Sequence, residues 1–216
     1  MKFFFHIVCF ALVALQVCRS TTVTDAETKL QRLRELTSHK LQSAFLDHTR
    51  MSNEIDATAL AAKEHGKIEI QKKTDKYVAK LKADKALTQR CRGSRDHIFD
   101  HLKQSNIDEL IRCIDHAGSQ SVNVLATQRL SLTEYVWDAI FEEEKHIIVC
   151  GQNRKCLAAA VADLEDKIDE VKKVIDAEVE ISKHNKEVQV QIIKSCASKS
   201  IANVEHELST IPTCMY

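Results

Sequence analysis

From Gln152 to Ile211 the chain contains neither glycine nor proline, and all 216 residues together hold four Gly and one Pro. Average usage puts Gly alone near 7%. A chain with so few breakers makes few turns, so it must place its residues in long regular elements. The apolar residues step by three and four, the spacing of one helical face.

The glycines divide the chain into expected helical segments. Residues 24–90 read as helix, with Leu30, Leu33, Leu41, Ala44, Met51, Ile55, Ala59 and Ala62 on one face. Leu33, Ala44, Ile55, Gly66 and Tyr77 also recur every eleven residues, which fits a nearly straight seam. Gly66 is a candidate helix end. Gly93 and Ser94 open a second segment, with Ser94 as N-cap and Ile98, Leu102, Leu110, Ile111 and Ile114 as its apolar face; Gly118 is its expected stop. A third segment spans about 120–148, where Val122, Leu125, Leu132, Val136, Ala139 and Ile147 form a stripe that Arg129 and Glu143 interrupt. The fourth starts at Cys156. Leu157, Val161, Leu164, Ile168, Val171 and Ile175 alternate by four and three, as a coiled-coil seam does. The stripe fades in "EISKHNKEVQ" and returns at Val190, Ile193, Ala197, Ile201, Val204, Leu208 and Ile211, so a single helix and a helix bent near His184 and Asn185 both stay open. Pro212 ends it.

The start of the chain speaks to compartment. "MKFFFHIVCFALVALQVCRS" has Lys2, then a mostly apolar run from Phe3 to Val17, then Cys18 and Ser20 before Thr21. That is the layout of a cleaved secretory signal. The run is short for a membrane span, which needs roughly 20 residues; an uncleaved anchor and a lipoprotein signal at "LQVC" are the weaker alternatives. The expected organisation is therefore a signal peptide at 1–20, a long N-terminal helical segment at 21–90 and a cysteine-containing helical bundle at 91–216.

Six cysteines follow the leader: Cys91, Cys113, Cys150, Cys156, Cys196 and Cys214. An even number in an oxidising compartment favours disulfides. "CGQNRKC" (150–156) is the informative stretch. Zinc would need two more close ligands, and the nearest is His146; a redox pair usually has two intervening residues, and this pair has five. Structural disulfides are the preferred reading. Gly151 then stops one helix and Asn153 caps the next, so the flanking helices are antiparallel. If a further turn is centred near residue 119, Cys91 lies level with Cys150 and Cys156 and should bond to one of them. Cys196 can then pair with Cys214 if the tail after Pro212 folds back; the competing case joins Cys113 to Cys196 through a bend in the last helix. The fold class is all-α: an elongated antiparallel helical bundle with coiled-coil-like seams, stapled by disulfides.

Chemistry-bearing patterns are few. "RDHIFDHLK" places His97 and His101 four apart with Asp96 and Asp100 nearby, a spacing that can bind metal but more simply makes a solvated face. Glu142, Glu143 and Glu144 form a charged run. There is no nucleophile elbow, no glycine-rich phosphate loop and no Asn-x-Ser/Thr site. No catalytic, cofactor-binding or metal-ligating residue is assigned, and no cofactor is implied. Removing the leader takes Lys2 and Arg19 from the 31 basic residues, leaving 29 against 31 acidic. Without a concentrated basic face, neither nucleic acid nor an anionic membrane is an expected partner.

The leader, the nearly proline-free helical chain and the cysteine set with "CGQNRKC" resemble secreted insect proteins with the TsetseEP-type domain, over roughly Cys91 to Cys214. The Glu-Pro repeats that named that family are absent. The resemblance implies an extracellular insect protein without enzymatic activity and carries over no site residues. Two function classes follow: a secreted interaction or structural protein with a protein partner or self-association, and a carrier of a lipid or other apolar ligand between amphipathic helices. The scarcity of large apolar side chains favours the first.

Overall fold

The computed structural model describes residues 2–83 and 95–210, with side chains over 23–83 and 97–210. All of its elements are α-helices: α1 is Lys2–Ala83, α2 is Arg95–Cys150 and α3 is Arg154–Thr210. The three pack against each other as a disulfide-linked all-α bundle. They form two compact units, each made from a piece of every helix. Unit one is Met1–His48 with Thr127–Ile181, and unit two is Thr49–Ala126 with Ser182–Tyr216.

In unit one, Leu30, Leu33, Leu41 and Ala44 of α1 meet Leu132, Val136, Ala139 and Ile140 of α2 and Leu164, Ile168, Val171 and Ile175 of α3. In unit two the buried residues include Met51, Ile55 and Ile70 of α1, Phe99, Leu110, Ile114 and Leu125 of α2, and Ile193, Ala197, Val204 and Leu208 of α3. Most residues of the stripes expected from spacing are thus buried, but Val122 of the third stripe is 42% exposed and Ile211 lies outside the described residues. The N-terminal segment does not stand alone, since isolated helices draw little stability from propensity.

Two expected helix ends are not ends. α2 runs through Gly118, so the second and third segments are one helix and the turn near residue 119 does not exist. A glycine inside a helix costs only about 1 kcal/mol relative to alanine, which packing along a 56-residue helix outweighs. α1 likewise runs through Gly66. A Cβ built there would come within 2.5 Å of Leu110 Cδ2, so the missing side chain lets α1 approach α2 closely. α3 is a single helix without a break at His184 and Asn185.

The turn at Gly151 is as expected. Gly151 has φ 53°, the left-handed conformation that closes a helix, and its N–H donates to Ile147 O at 3.3 Å and Ile148 O at 3.2 Å. Asn153 Oδ1 accepts from the N–H groups of Lys155 and Cys156 at 3.1 and 3.2 Å, an N-cap.

The disulfides correct the expected pairing. Cys150 bonds to Cys156 across the turn, and Cys113 bonds to Cys196 with Cα atoms 5.9 Å apart. Cys91 therefore takes neither Cys150 nor Cys156, and Cys196 does not take Cys214; Cys91 and Cys214 lie outside the described residues, as does the 90/91 boundary. The rule that residues equidistant from a turn lie side by side was sound, but the relevant turn is Gly151. Cys113 and Cys196 are equidistant from a point between residues 154 and 155, and no helix break is needed to join them.

Loop entropy ranks these bonds. The Cys113–Cys196 bridge closes 83 residues and contributes about 4.5 kcal/mol, whereas Cys150–Cys156 closes six and contributes about 2 kcal/mol. Denaturant unfolding should show Cys113→Ala/Cys196→Ala to be the more damaging pair. At the turn, Gly151→Ala should cost about 1–2 kcal/mol through the left-handed backbone, and Asn153→Ala about 1 kcal/mol through the lost cap, in the same assay.

Candidate functional site

Unit one holds a polar cluster beside the α2–α3 turn. Glu143, His146 and Cys150 follow each other at three and four residues on α2, which puts them on one face. Cys156, Asp163 and Lys167 come from the facing side of α3. His146 Nδ1 lies 3.8 Å from Asp163 Oδ2. His146 and the two sulfurs fall within 4.8 Å of one another. The sequence pointed to His146 as the nearest extra ligand for a zinc, and the fold does bring it there. The disulfide, however, ties up both sulfurs, and a metal needs thiolates. In this state the cluster is a structural clasp.

Glu143, which interrupted the apolar stripe, is 8% exposed, and its Oε2 has no hydrogen-bond partner among the described residues. Burial, the largest effect, raises its pKa above the usual carboxylate value; His146 and Lys167 oppose that, and Asp163 and Glu142 add to it. The other interrupting residue, Arg129, lies over the Phe45 ring, 4.2 Å from its centroid. The Glu142–Glu144 run therefore splits: Glu142 is exposed, Glu143 is buried, and Glu144 joins Arg34 of α1 at 2.8 Å. Nearby, Tyr135 donates to Glu170 Oε1 at 2.9 Å, and Lys167 Nζ lies 2.7 Å from Glu170 Oε2.

His97 and His101 are both exposed, and Asp100 pairs with Lys103 at 3.0 Å, so this segment is a solvated face. The side chain of Asp96 lies outside the described residues.

A second apolar row, not expected from one stripe per helix, lies on the other side of α2. Leu130, Trp137, Phe141 and Ile148 are 60%, 62%, 66% and 71% exposed. They are spaced by seven, four and seven, and Trp137 is the only tryptophan in the chain. Next to Ile148 an open groove runs between α1 and α2, lined by Thr28, Gln31, Arg34, Glu144, Ile147 and Ile148 among others. Its lining mixes charged, polar and apolar groups. Among the described residues, no helix is long and apolar enough to cross a membrane.

Comparison with family models, with curated proteins and with solved structures finds no match.

An orphan carboxylate with a raised pKa binds its proton more tightly in the folded state. It therefore costs nothing below its unfolded pKa and the full penalty above its folded one. Glu143→Met should raise stability by about 1–2 kcal/mol near neutral pH. In unfolding curves this gain should shrink as pH falls toward the ordinary carboxylate range.

Proposed function

We propose that this is an extracellular, non-enzymatic interaction protein of the TsetseEP-type class, acting through the outward faces of its helices. The observation that carries this reading is the exposed row Leu130, Trp137, Phe141 and Ile148. Large exposed apolar groups gathered on one helix face and set among charged ones mark interaction surfaces. The leader sequence and the two disulfides support an oxidising, secreted destination. The bonded state of Cys150 and Cys156 removes the thiolates that metal or nucleophilic chemistry at the polar cluster would use. The groove between α1 and α2 is open and carries Arg34 and Glu144 on its wall, which suits a polar-rimmed protein contact better than an enclosed apolar ligand.

The test is protein secreted from insect cells. N-terminal sequencing should begin at Thr21, and a chain retaining Met1 would contradict secretion by cleavage. Solvent extraction and mass spectrometry should find no stoichiometric lipid; a bound lipid at one per chain would favour the carrier reading instead.

A further inference from the structure

The partner of the outer row can be read from its pattern, on the basis of the interaction reading above. Glu134 and Glu144 complete the row, so that residues 130, 134, 137, 141, 144 and 148 alternate by four and three. That alternation is what a helix needs to lie along another helix. Read in either direction, the row has the same order of side-chain types: aliphatic, Glu, aromatic, aromatic, Glu, aliphatic. Such a palindrome suits an isologous contact, in which one patch meets itself across a two-fold axis.

We infer that the outer face of α2 pairs antiparallel with the same face of a second copy of this chain. The axis passes between Trp137 and Phe141. Trp137 then stacks on Phe141 of the second copy, and Leu130 meets its Ile148. Glu134 comes level with Glu144 of the second copy. That carboxylate already sits 2.8 Å from Arg34, whose side chain is 43% exposed. A guanidinium has five N–H donors, enough to hold both carboxylates. The groove between α1 and α2 begins at Glu144 and Ile148 and receives the Leu130 end of the second copy. One contact opposes the pairing: Asp138 flanks the row at the axis and faces its own symmetry mate.

From 130 to 148 the row is about 27 Å long. On one helix face that covers roughly 300 Å² per copy, below the approximately 800 Å² of a standard stable interface. The dimer is therefore weak, with Kd on the order of micromolar or higher.

The experiment is sedimentation of the secreted, disulfide-bonded chain up to roughly 500 µM, with lipid content measured on the same sample. The wild type should shift from monomer to dimer over this range. Trp137→Glu and Phe141→Glu should each weaken the dimer at least about tenfold, whereas Asp138→Asn should tighten it; all three positions are exposed, and unchanged melting curves check that folding is intact. A benzophenone side chain at position 148 should crosslink to the peptide carrying Leu130 of the other copy. A wild type that stays monomeric, or a crosslink from 148 to the peptide carrying Ile148, overturns the pairing. Mass and crosslink decide the pairing, and lipid content separately decides the interaction reading on which it rests.

Discussion

Burial in this chain recurs every eleven residues, and much else depends on that period. On α3 the residues at 160, 171, 182, 193 and 204 are Ala, Val, Ser, Ile and Val, and all are 0% exposed. On α2 the series is Phe99, Leu110, Ser121, Leu132 and Glu143, all buried; on α1 it is Leu33, Ala44, Ile55 and Gly66. Eleven residues make three turns of about 3.67 residues each, close to the natural 3.6, so a helix keeps its buried face with little supercoiling. Position, not residue type, then decides what is covered. Ser182 is buried where the apolar stripe fades in the sequence, and the period carries α3 across that gap. Ser121 bonds the Ala117 carbonyl at 2.8 Å one turn back, so a short hydroxyl tolerates such a place. Glu143 is too long to do the same and is left with an orphan oxygen.

Register follows from the turn and from ion pairs. The Gly151 turn sets α2 against α3, and the Cys113–Cys196 bond fixes the same antiparallel register in unit two. α1 and α3 are parallel. In unit one, Lys29 pairs with Glu165 and Lys40 with Asp176, each 136 residues on. In unit two, Glu54 pairs with Lys186 and Lys73 with Glu205, each 132 residues on. Exposed pairs of this kind are screened by water and each adds little stability. Their value lies in agreement: within a unit, sliding α1 along α3 would break both pairs together, so weak contacts can still select one register among several apolar alternatives.

The fold class was legible because helical spacing survives in the raw sequence over long stretches. Leu30, Leu33, Leu41, Ala44, Met51 and Ile55 are buried as their steps required. Punctuation was less legible. Gly118 meets open space, Gly66 meets Leu110, and among the described glycines Gly151 alone takes a positive φ. The letter is the same in each case, and only the surroundings separate a tolerated glycine, a close approach and a true stop. Misplacing one turn moved the expected partner of Cys91 and made Cys113–Cys196 the lesser option. The outer row of α2 was present in the sequence, since Leu130, Trp137, Phe141 and Ile148 keep helical spacing. It was missed because each helix was assigned a single apolar face.

That second face has a physical consequence for what can cover it. Leu130, Trp137 and Glu144 are seven apart, as are Glu134, Phe141 and Ile148, so the outer row keeps four-three spacing from 130 to 148. A lipid surface places no demand on period, because its chains conform to any array of apolar groups. A helix does place one: its ridges must match the grooves along the whole contact. Two helices with the same four-three spacing stay in step along the whole row. A partner helix therefore has to share that four-three spacing, and α2 itself, read antiparallel, carries it.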